Sequence, residues 1–242
     1  MKAIILAAGL GSRLRPITDS VPKCMVPVNG IPIIDKQVEN LLDSGFVEHD
    51  IHIVSGYKDN ILKRHLAEKF PAVNVITNAR YNETNNMYSL YLAKRCLCGC
   101  EFLLMNGDVF FDSNIIVGMM VGDNVNKIAC DRYGYIAESM KITVDDGLIT
   151  HISKAITEQE YYAVSIDIYR FSTVASEVMF NEICDTIEVR KDENSWTEVA
   201  LDKIFSREKF VPYIINDRWV EIDNHDDLVY AERLFAKDGF PK

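Results

Sequence analysis

Apolar runs and amphipathic segments alternate along the first half of the chain. Residues 2–7 (KAIILA) contain no polar side chain after Lys2, which is typical of a strand covered on both faces. The same reading predicts strands at 50–55, 72–77 and 101–105 and helices at 34–42, 58–69 and 87–97. This β-α-β-α-β-α-β order predicts an α/β fold with a doubly wound, mostly parallel sheet.

The second half is richer in short strands. The pattern predicts strands at 126–131, 140–145, 147–152, 161–170, 211–215 and 218–222, and helices at about 173–183, about 196–206 and from about 225. Asp145-Asp146-Gly147 is a hairpin signal between two of these strands. We expect one domain over residues 1–242, with halves 1–110 and 111–242 sharing one mixed sheet and a small β-rich insertion in the second half.

Composition narrows the possible functions. The 242 residues suffice for a sizeable core, and no apolar run approaches the ~20 residues of a membrane-spanning helix. A net charge of −10 argues against nonspecific nucleic-acid binding, which needs a basic face. With no secretory signal, we expect a cytoplasmic protein with reduced cysteines. The C-x-C-x-C stretch at 96–100 lacks zinc-site spacing and predicts a helix end followed by a turn at Gly99.

A glycine-rich loop follows the first strand and carries the strongest chemical signal. Gly9 and Gly11 allow a sharp turn that exposes backbone N–H groups to a ligand. Between Ala8 and Val28 the cations are Arg13, Arg15 and Lys23, and the one anion is Asp19. A cationic loop at the end of a parallel strand is suited to phosphate binding. The loop is no Walker motif, and Leu14 stands where the dinucleotide fingerprint has its third glycine.

Two aspartates follow predicted strands at a distance of 115 residues along the chain. Asp108 comes after 101–105, and Asp223 comes after 218–222. Ligands of open α/β sheets lie beyond the carboxyl ends of the strands, so we expect both carboxylates beside the phosphate site. Carboxylates together with phosphate oxygens are suitable ligands for Mg²⁺. The alternative is that Asp108 is a turn residue and that Asp223 is a turn or cap residue next to Asn224.

The loop resembles the signature of a known enzyme family. The pattern G-x-G-x-R-x-x-P-x-T-x-x-x-P-K is met by Gly9, Gly11, Arg13, Pro16, Thr18, Pro22 and Lys23. It is similar to the motif of nucleotidyltransferases, which join a nucleoside triphosphate to a phosphorylated acceptor and release pyrophosphate. The segments at 84–91 (TNNMYSLY), 138–154 and 221–224 (EIDN) resemble the branch of phosphocholine and small-phosphonate cytidylyltransferases.

The resemblance implies a Rossmann-like fold, CTP as nucleotide and Mg²⁺ as cofactor. It implies that residues 1–110 bind the nucleotide and that residues 111–242 bind the acceptor. The catalytic residues would be Lys23, Arg13, Asp108 and Asp223, with the two aspartates also holding the metal. The nucleotide would contact Ala7, Ala8, Gly9, Gly11, Ser12, Arg13, Asn85, Asn86 and Ser89. The acceptor would contact Lys154, Trp196 and Glu198.

Several of these positions have a plain structural alternative. Asn85 is also a candidate helix N-cap, Lys154 a solvated strand-end lysine, and Trp196 a core anchor, which we favour slightly. The five histidines are scattered, and no Ser–His–Asp pattern is present. An acceptor phosphate or phosphonate is already ionised at neutral pH, so the reaction needs no general base.

We therefore predict a magnesium-dependent cytidylyltransferase that acts on CTP and a phosphocholine-like or aminoalkylphosphonate-like acceptor. One alternative is a sugar-1-phosphate nucleotidyltransferase. Another, of a different class, is a nucleotide-sensing module without turnover. Neither a nucleic acid nor a membrane is expected as a partner.

Overall fold

The computed structural model describes residues 1–132 and 134–236. The strands are β1 (Lys2–Ala7), β2 (Pro27–Val28), β3 (Ile31–Pro32), β4 (Ile51–Ser55), β5 (Asn74–Thr77), β6 (Phe102–Asn106), β7 (Val109–Phe111), β8 (Asn126–Asp131), β9 (Lys141–Asp145), β10 (Leu148–Ser153), β11 (Ala163–Phe171), β12 (Phe210–Ile214) and β13 (Trp219–Glu221). The α-helices are α1 (Ile33–Asp43), α2 (Asp59–Lys69), α3 (Asn86–Leu92), α4 (Lys94–Leu97), α5 (Asn114–Met120), α6 (Thr173–Cys184), α7 (Thr197–Ile204) and α8 (His225–Leu234).

Within the described residues, nine strands form one sheet. Their order is β10-β9-β11-β6-β1-β4-β5, with β8 paired to β11 and β12 paired to β8. The centre, β6-β1-β4-β5, is parallel, whereas β11 runs antiparallel to β6. The predicted doubly wound α/β sheet is confirmed, and the β-rich second half continues the same sheet with antiparallel pairs, apart from β12, which runs parallel to β8.

Helices cover both faces of the central strands, which explains why β1 is apolar without alternation. Ile4 and Leu6 pack towards the helices that include α3, α6 and α7. Ala3 and Ile5 point the other way, into the cluster formed with α1, α2 and α5. Ile4 and Ile5 are fully buried, and each such side chain contributes about 1.5–3 kcal/mol to the free energy of folding.

The strand order creates a crevice at one edge of the sheet. From β1 the chain moves through β4 to β5 and then crosses back to β6 on the other side of β1. The carboxyl ends of β1 and β6 therefore flank the topological switch point, where α/β sheets bind ligands. Gly107 is required by this packing, since a Cβ there would lie 2.9 Å from the Leu6 carbonyl oxygen.

A separate two-stranded ribbon completes the edge of the crevice. The strand predicted at 218–222 is β13, and it pairs with β7 outside the main sheet. Val109 lies opposite Glu221, and the Ile222 amide donates to the Asp108 carbonyl at 2.9 Å. The ribbon therefore brings Asp108 and Asp223 to one place. The apolar pattern did not predict β7 or α5, because both are short and directly follow other elements.

Smaller differences from the prediction have local causes. The helix predicted at 87–97 is divided into α3 and α4 at Ala93, which caps the end of α3. Gly99 has a φ of +74° and turns the chain after α4, as predicted. None of the described helices is both long enough and apolar enough to cross a membrane.

Candidate active site

A cavity of about 450 Å³ opens at the switch point between β1 and β6. Both halves of the chain contribute to its walls. The site residues predicted from the sequence all line it: Ala7, Ala8, Gly9, Gly11, Ser12, Arg13, Lys23, Asn85, Asn86, Ser89, Asp108, Lys154, Trp196, Glu198 and Asp223. The geometry thus unites residues that are up to 216 positions apart, from Ala7 to Asp223.

Lys23 lies between the two predicted metal-binding aspartates. Its Nζ is 2.7 Å from Asp108 Oδ2 and 2.6 Å from Asp223 Oδ1. Burial opposes the charge on Lys23, but the two carboxylates outweigh burial and raise its pKa, so the lysine stays cationic. Arg13 lies 2.8 Å from the other oxygen of Asp223. Burial likewise opposes ionisation of Asp223, but Lys23 and Arg13 lower its pKa.

A third carboxylate, which the sequence reasoning missed, belongs to this cluster. Oxygens of Asp108, Glu221 and Asp223 lie within 4.8 Å of one another. Burial, together with the charges of Asp167 and Asp108, raises the pKa of Glu221 to about 9. Glu221 could have been found from its spacing, because residues two apart on an extended strand share a face.

The residues present fit a divalent cation. Asp108 Oδ1 is buried and accepts no hydrogen bond from any described residue, so one carboxylate oxygen remains available as a ligand. Three clustered carboxyl groups supply oxygen ligands of the kind that suits Mg²⁺.

The glycine-rich loop folds so that Lys23 can reach the acids. Gly11 has a φ of +62°, a conformation that favours glycine. A Cβ at Gly11 would lie 2.9 Å from the Cβ of Lys23, so glycine leaves room for the lysine stem. Thr18 Oγ1 donates to the Gly11 carbonyl at 2.9 Å and fixes the turn. After β1 the chain forms 3₁₀ turns in place of an α-helix, consistent with Pro16 in the loop.

The predicted base-binding residues form one polar wall. Asn85 is the N-cap of α3, as the structural alternative proposed, and it also faces the cavity. The Asn86 Oδ1 atom accepts from the Thr197 amide at 2.8 Å. Ser89 Oγ accepts from Nδ2 of Asn78 at 3.1 Å, and Asn78 is itself a lining residue that the sequence reasoning missed.

The residues predicted to bind the acceptor comprise an aromatic ring, a lysine and a buried acid. Trp196 is 43% exposed, so the interpretation of this residue as a core anchor is wrong. Lys154 directly follows β10 and places its Nζ 4.8 Å from the centre of the Trp196 ring. Glu198 is only 3% exposed, and burial raises its pKa.

Asp167 is a second, half-buried acid of the cavity wall, and the sequence reasoning missed it. Its Oδ1 accepts from the Tyr169 hydroxyl at 2.8 Å, and the same hydroxyl lies 2.9 Å from Glu198 Oε1. Burial and the charge of Glu198 raise the pKa of Asp167 to about 7. The available signal was a single acid between two isoleucines in strand β11, AVSIDIYRF.

Comparison with known proteins identifies the family. A family model described as nucleotidyl transferase matches residues 2–238. The chain belongs to the nucleotidyl transferase family. The family assignment made from the loop motif is therefore confirmed, and so is the expectation that the protein is an enzyme.

Several family members are similar to all or part of the chain. A CTP:phosphoglutamine cytidylyltransferase of Campylobacter jejuni is 29% identical, covering 94% of this chain and 98% of its own length. A 2-aminoethylphosphonate cytidylyltransferase of Lancefieldella rimae is 44% identical over 115 residues, which are 47% of this chain and 45% of that protein. The solved structure of a CTP:phosphocholine cytidylyltransferase from Streptococcus pneumoniae has a TM-score of 0.82 and 26% identity, covering 96% of this chain and 98% of its own.

Proposed function

We propose that this nucleotidyltransferase transfers CMP from CTP to a small phosphorylated or phosphonate acceptor and releases pyrophosphate. The observation that carries the proposal is the placement of Lys23 between Asp108 and Asp223, in one cavity with the glycine-rich loop. The family members that act on phosphoglutamine, aminoethylphosphonate and phosphocholine use small acceptors of this class, which supports the choice.

The reaction requires the protein to position the two substrates and to neutralise their negative charge. The attacking atom is a phosphate or phosphonate oxygen, which is already ionised at neutral pH, so no base has to remove a proton. No described histidine lines the cavity, in keeping with this requirement. Lys23 neutralises the charge that develops on the α-phosphate, and Arg13 with the loop amides holds the leaving pyrophosphate. One such contact contributes about 3 kcal/mol to transition-state stabilisation.

Asp108 and Asp223, joined by Glu221, would hold Mg²⁺. When bound, the ion supplies positive charge that offsets the charges of the triphosphate and the acceptor. Lys23 already occupies the space between the two aspartates. We therefore expect metal binding to draw the lysine away from at least one of them.

Each half of the chain binds one of the two substrates. Residues 1–110 provide the loop for the triphosphate, and the small side chains of Ala7 and Ala8 leave room for the base beside Gly9. Asn85, Asn86 and Ser89 offer amide and hydroxyl groups to the edge of cytosine. Residues 111–242 bind the acceptor through Lys154, Trp196 and Glu198.

A substrate matrix tests the proposal. Each of CTP, UTP, ATP and GTP is combined with phosphocholine, 2-aminoethylphosphonate, glycerol phosphate and glucose-1-phosphate, and pyrophosphate release is measured. We expect release with CTP and a small acceptor, and none when Asp108 is replaced by asparagine. The matched control is Asp146→Asn, the same chemical change in the exposed turn between β9 and β10.

Other outcomes would contradict the proposal in identifiable ways. Turnover with UTP and glucose-1-phosphate alone would indicate a sugar-1-phosphate nucleotidyltransferase. Nucleotide binding without pyrophosphate release from any pair would indicate a sensing module.

A further inference from the structure

Two acids of the cavity wall, the half-buried Asp167 and the buried Glu198, contact the same hydroxyl group. Tyr169 is fully buried, and its oxygen lies 2.8 Å from Asp167 Oδ1 and 2.9 Å from Glu198 Oε1. A tyrosine hydroxyl has one hydrogen to donate, so it can satisfy only one of these carboxylates at a time. Both acids line the cavity, so their remaining lone pairs are open to a ligand.

No described cation forms an ion pair with either acid. Lys23 is committed to Asp108 and Asp223. Lys154 lies over the Trp196 ring. Its charge interacts electrostatically with Glu198, but Lys154 and Glu198 form no salt bridge. The remaining partner of the Asp167 carboxylate is Asn106, whose neutral amide donates to Oδ2 at 2.9 Å. Buried carboxylates without a cation are costly, so this wall favours a ligand that carries positive charge.

We infer that the acceptor carries a primary ammonium group, which Asp167 and Glu198 receive in the cavity. The inference rests on the proposed function and narrows its substrate class to amino-phosphonates and amino-phosphates. A primary ammonium brings three N–H donors and a positive charge, whereas the side chains that now hydrogen-bond the two carboxylates, Tyr169, Asn106 and Asn86, are all neutral.

A quaternary ammonium suits this wall less well. It has no N–H donor and is recognised mainly by the faces of aromatic rings. The aromatic side chains among the described lining residues are Tyr81 and Trp196, and Lys154 already lies over the Trp196 ring. Tyr169 contributes its hydroxyl rather than its face, because the hydroxyl is what bonds the two acids.

The acids lie close to the predicted metal site. Asp167 is hydrogen-bonded to Asn106, which is separated from Asp108 by one residue, Gly107. An acceptor that reaches both Asp108 and Asp167 is therefore a small molecule.

The test compares acceptors that differ at nitrogen. Pyrophosphate release from CTP is measured with 2-aminoethylphosphonate, phosphoethanolamine, phosphocholine and ethylphosphonate, the last lacking nitrogen. We expect kcat/KM for the two primary amines to exceed that for phosphocholine and for ethylphosphonate by about 100-fold, because a site built for N–H donors rejects analogues that lack them. Asp167→Asn and Glu198→Gln should each reduce the preference for 2-aminoethylphosphonate over ethylphosphonate by at least about tenfold.

Asparagine tolerates the positive φ of 59° at position 167, so Asp167→Asn changes charge without backbone strain. Asp146→Asn and Glu158→Gln are the matched controls at exposed positions, and both should keep the preference of the wild type. Equal or better use of phosphocholine would overturn the inference while leaving the proposed function intact. A uniform loss with every acceptor in both variants would show a structural role and would also overturn it. Absence of turnover with all four acceptors would defeat the proposed function itself and the inference with it.

Discussion

Replacing Lys23 with methionine should lower the Tm in chelator and lower kcat, and it should increase the rise in Tm that Mg²⁺ causes. Methionine keeps the unbranched stem but removes the charge that lies 2.7 Å from Asp108 and 2.6 Å from Asp223. The variant retains three clustered carboxylates, including that of Glu221, without the lysine that partners two of them. The loop around Gly11 accommodates the same stem, so the substitution perturbs charge more than packing.

The stability effect follows from the burial of the ion pairs. Coulomb's law with an effective dielectric constant of about 20 gives about 6 kcal/mol for charges 2.7 Å apart. Desolvation of each ion costs several kcal/mol, which offsets most of that attraction. The side chains of Lys23 and Asp108 are 14% and 22% exposed, so we expect a net loss of about 2 kcal/mol, below the value for a fully buried pair. This corresponds to a fall in Tm of about 4–8 °C.

Calorimetry in chelator, metal titration and steady-state kinetics together check this prediction. In chelator the variant should melt below the wild type. Added Mg²⁺ should raise the Tm of the variant more than that of the wild type, because the ion then has no lysine to compete with for the carboxylates. Its kcat should fall by about 10²-fold or more, owing to lost stabilisation of the transition state.

Lys209→Met, at an exposed position outside the cavity, is the control and should match the wild type in all three measurements. Unchanged melting in chelator together with near-normal kcat would refute the reasoning, because Lys23 would then neither partner the acids nor act in turnover.

Asp108→Asn and Asp223→Asn should each abolish turnover while CTP still binds in the absence of metal, as measured by calorimetry; near-full activity of either variant would remove that residue from the metal site. Gly11→Ala should lower the free energy of unfolding by about 1–3 kcal/mol and should also lower kcat, because alanine is strained at a φ of +62° and its Cβ meets Lys23. A Tm equal to that of the wild type would contradict this explanation of the turn. Burial and Glu198 raise the pKa of Asp167 from 3.8 to about 7, so the folded state binds more protons than the unfolded state, and this residue lowers stability as pH rises from about 4 to about 7. In chelator, the free energy of unfolding of Asp167→Asn should therefore fall less than that of the wild type between pH 5 and 8. The same pH dependence in both proteins would contradict the raised pKa of Asp167.

Much of the fold could be predicted because local pattern and global packing agree. The unbroken apolar run of β1 reflects burial on both faces, and the helices with apolar residues at helical spacing cover those faces. The loop residues could be predicted because few structures require glycine, proline and charged residues at this fixed spacing. The parallel strand order then places Asp108 beside the loop through the topology alone.

The parts that could not be predicted depend on contacts between distant segments. The β7–β13 ribbon pairs residues 109–111 with 219–221, and three-residue strands leave almost no periodic signal. Trp196 precedes an apolar helix, so the sequence slightly favours a core anchor over the acceptor contact that the resemblance implies, yet the side chain is 43% exposed at the cavity wall. Asp167 was overlooked because its neighbours indicate a buried strand, and only tertiary structure shows that Tyr169 and Glu198 meet it.

Isotope transfer tests the central claim most directly. The protein is incubated with 2-aminoethylphosphonate and Mg²⁺ and with CTP carrying ³²P at either the α or the γ position, and the products are separated. Transfer of CMP predicts that the α label appears in the acceptor product and that the γ label appears in pyrophosphate. Transfer of the γ label to the acceptor, or retention of both labels in CTP, would contradict the account.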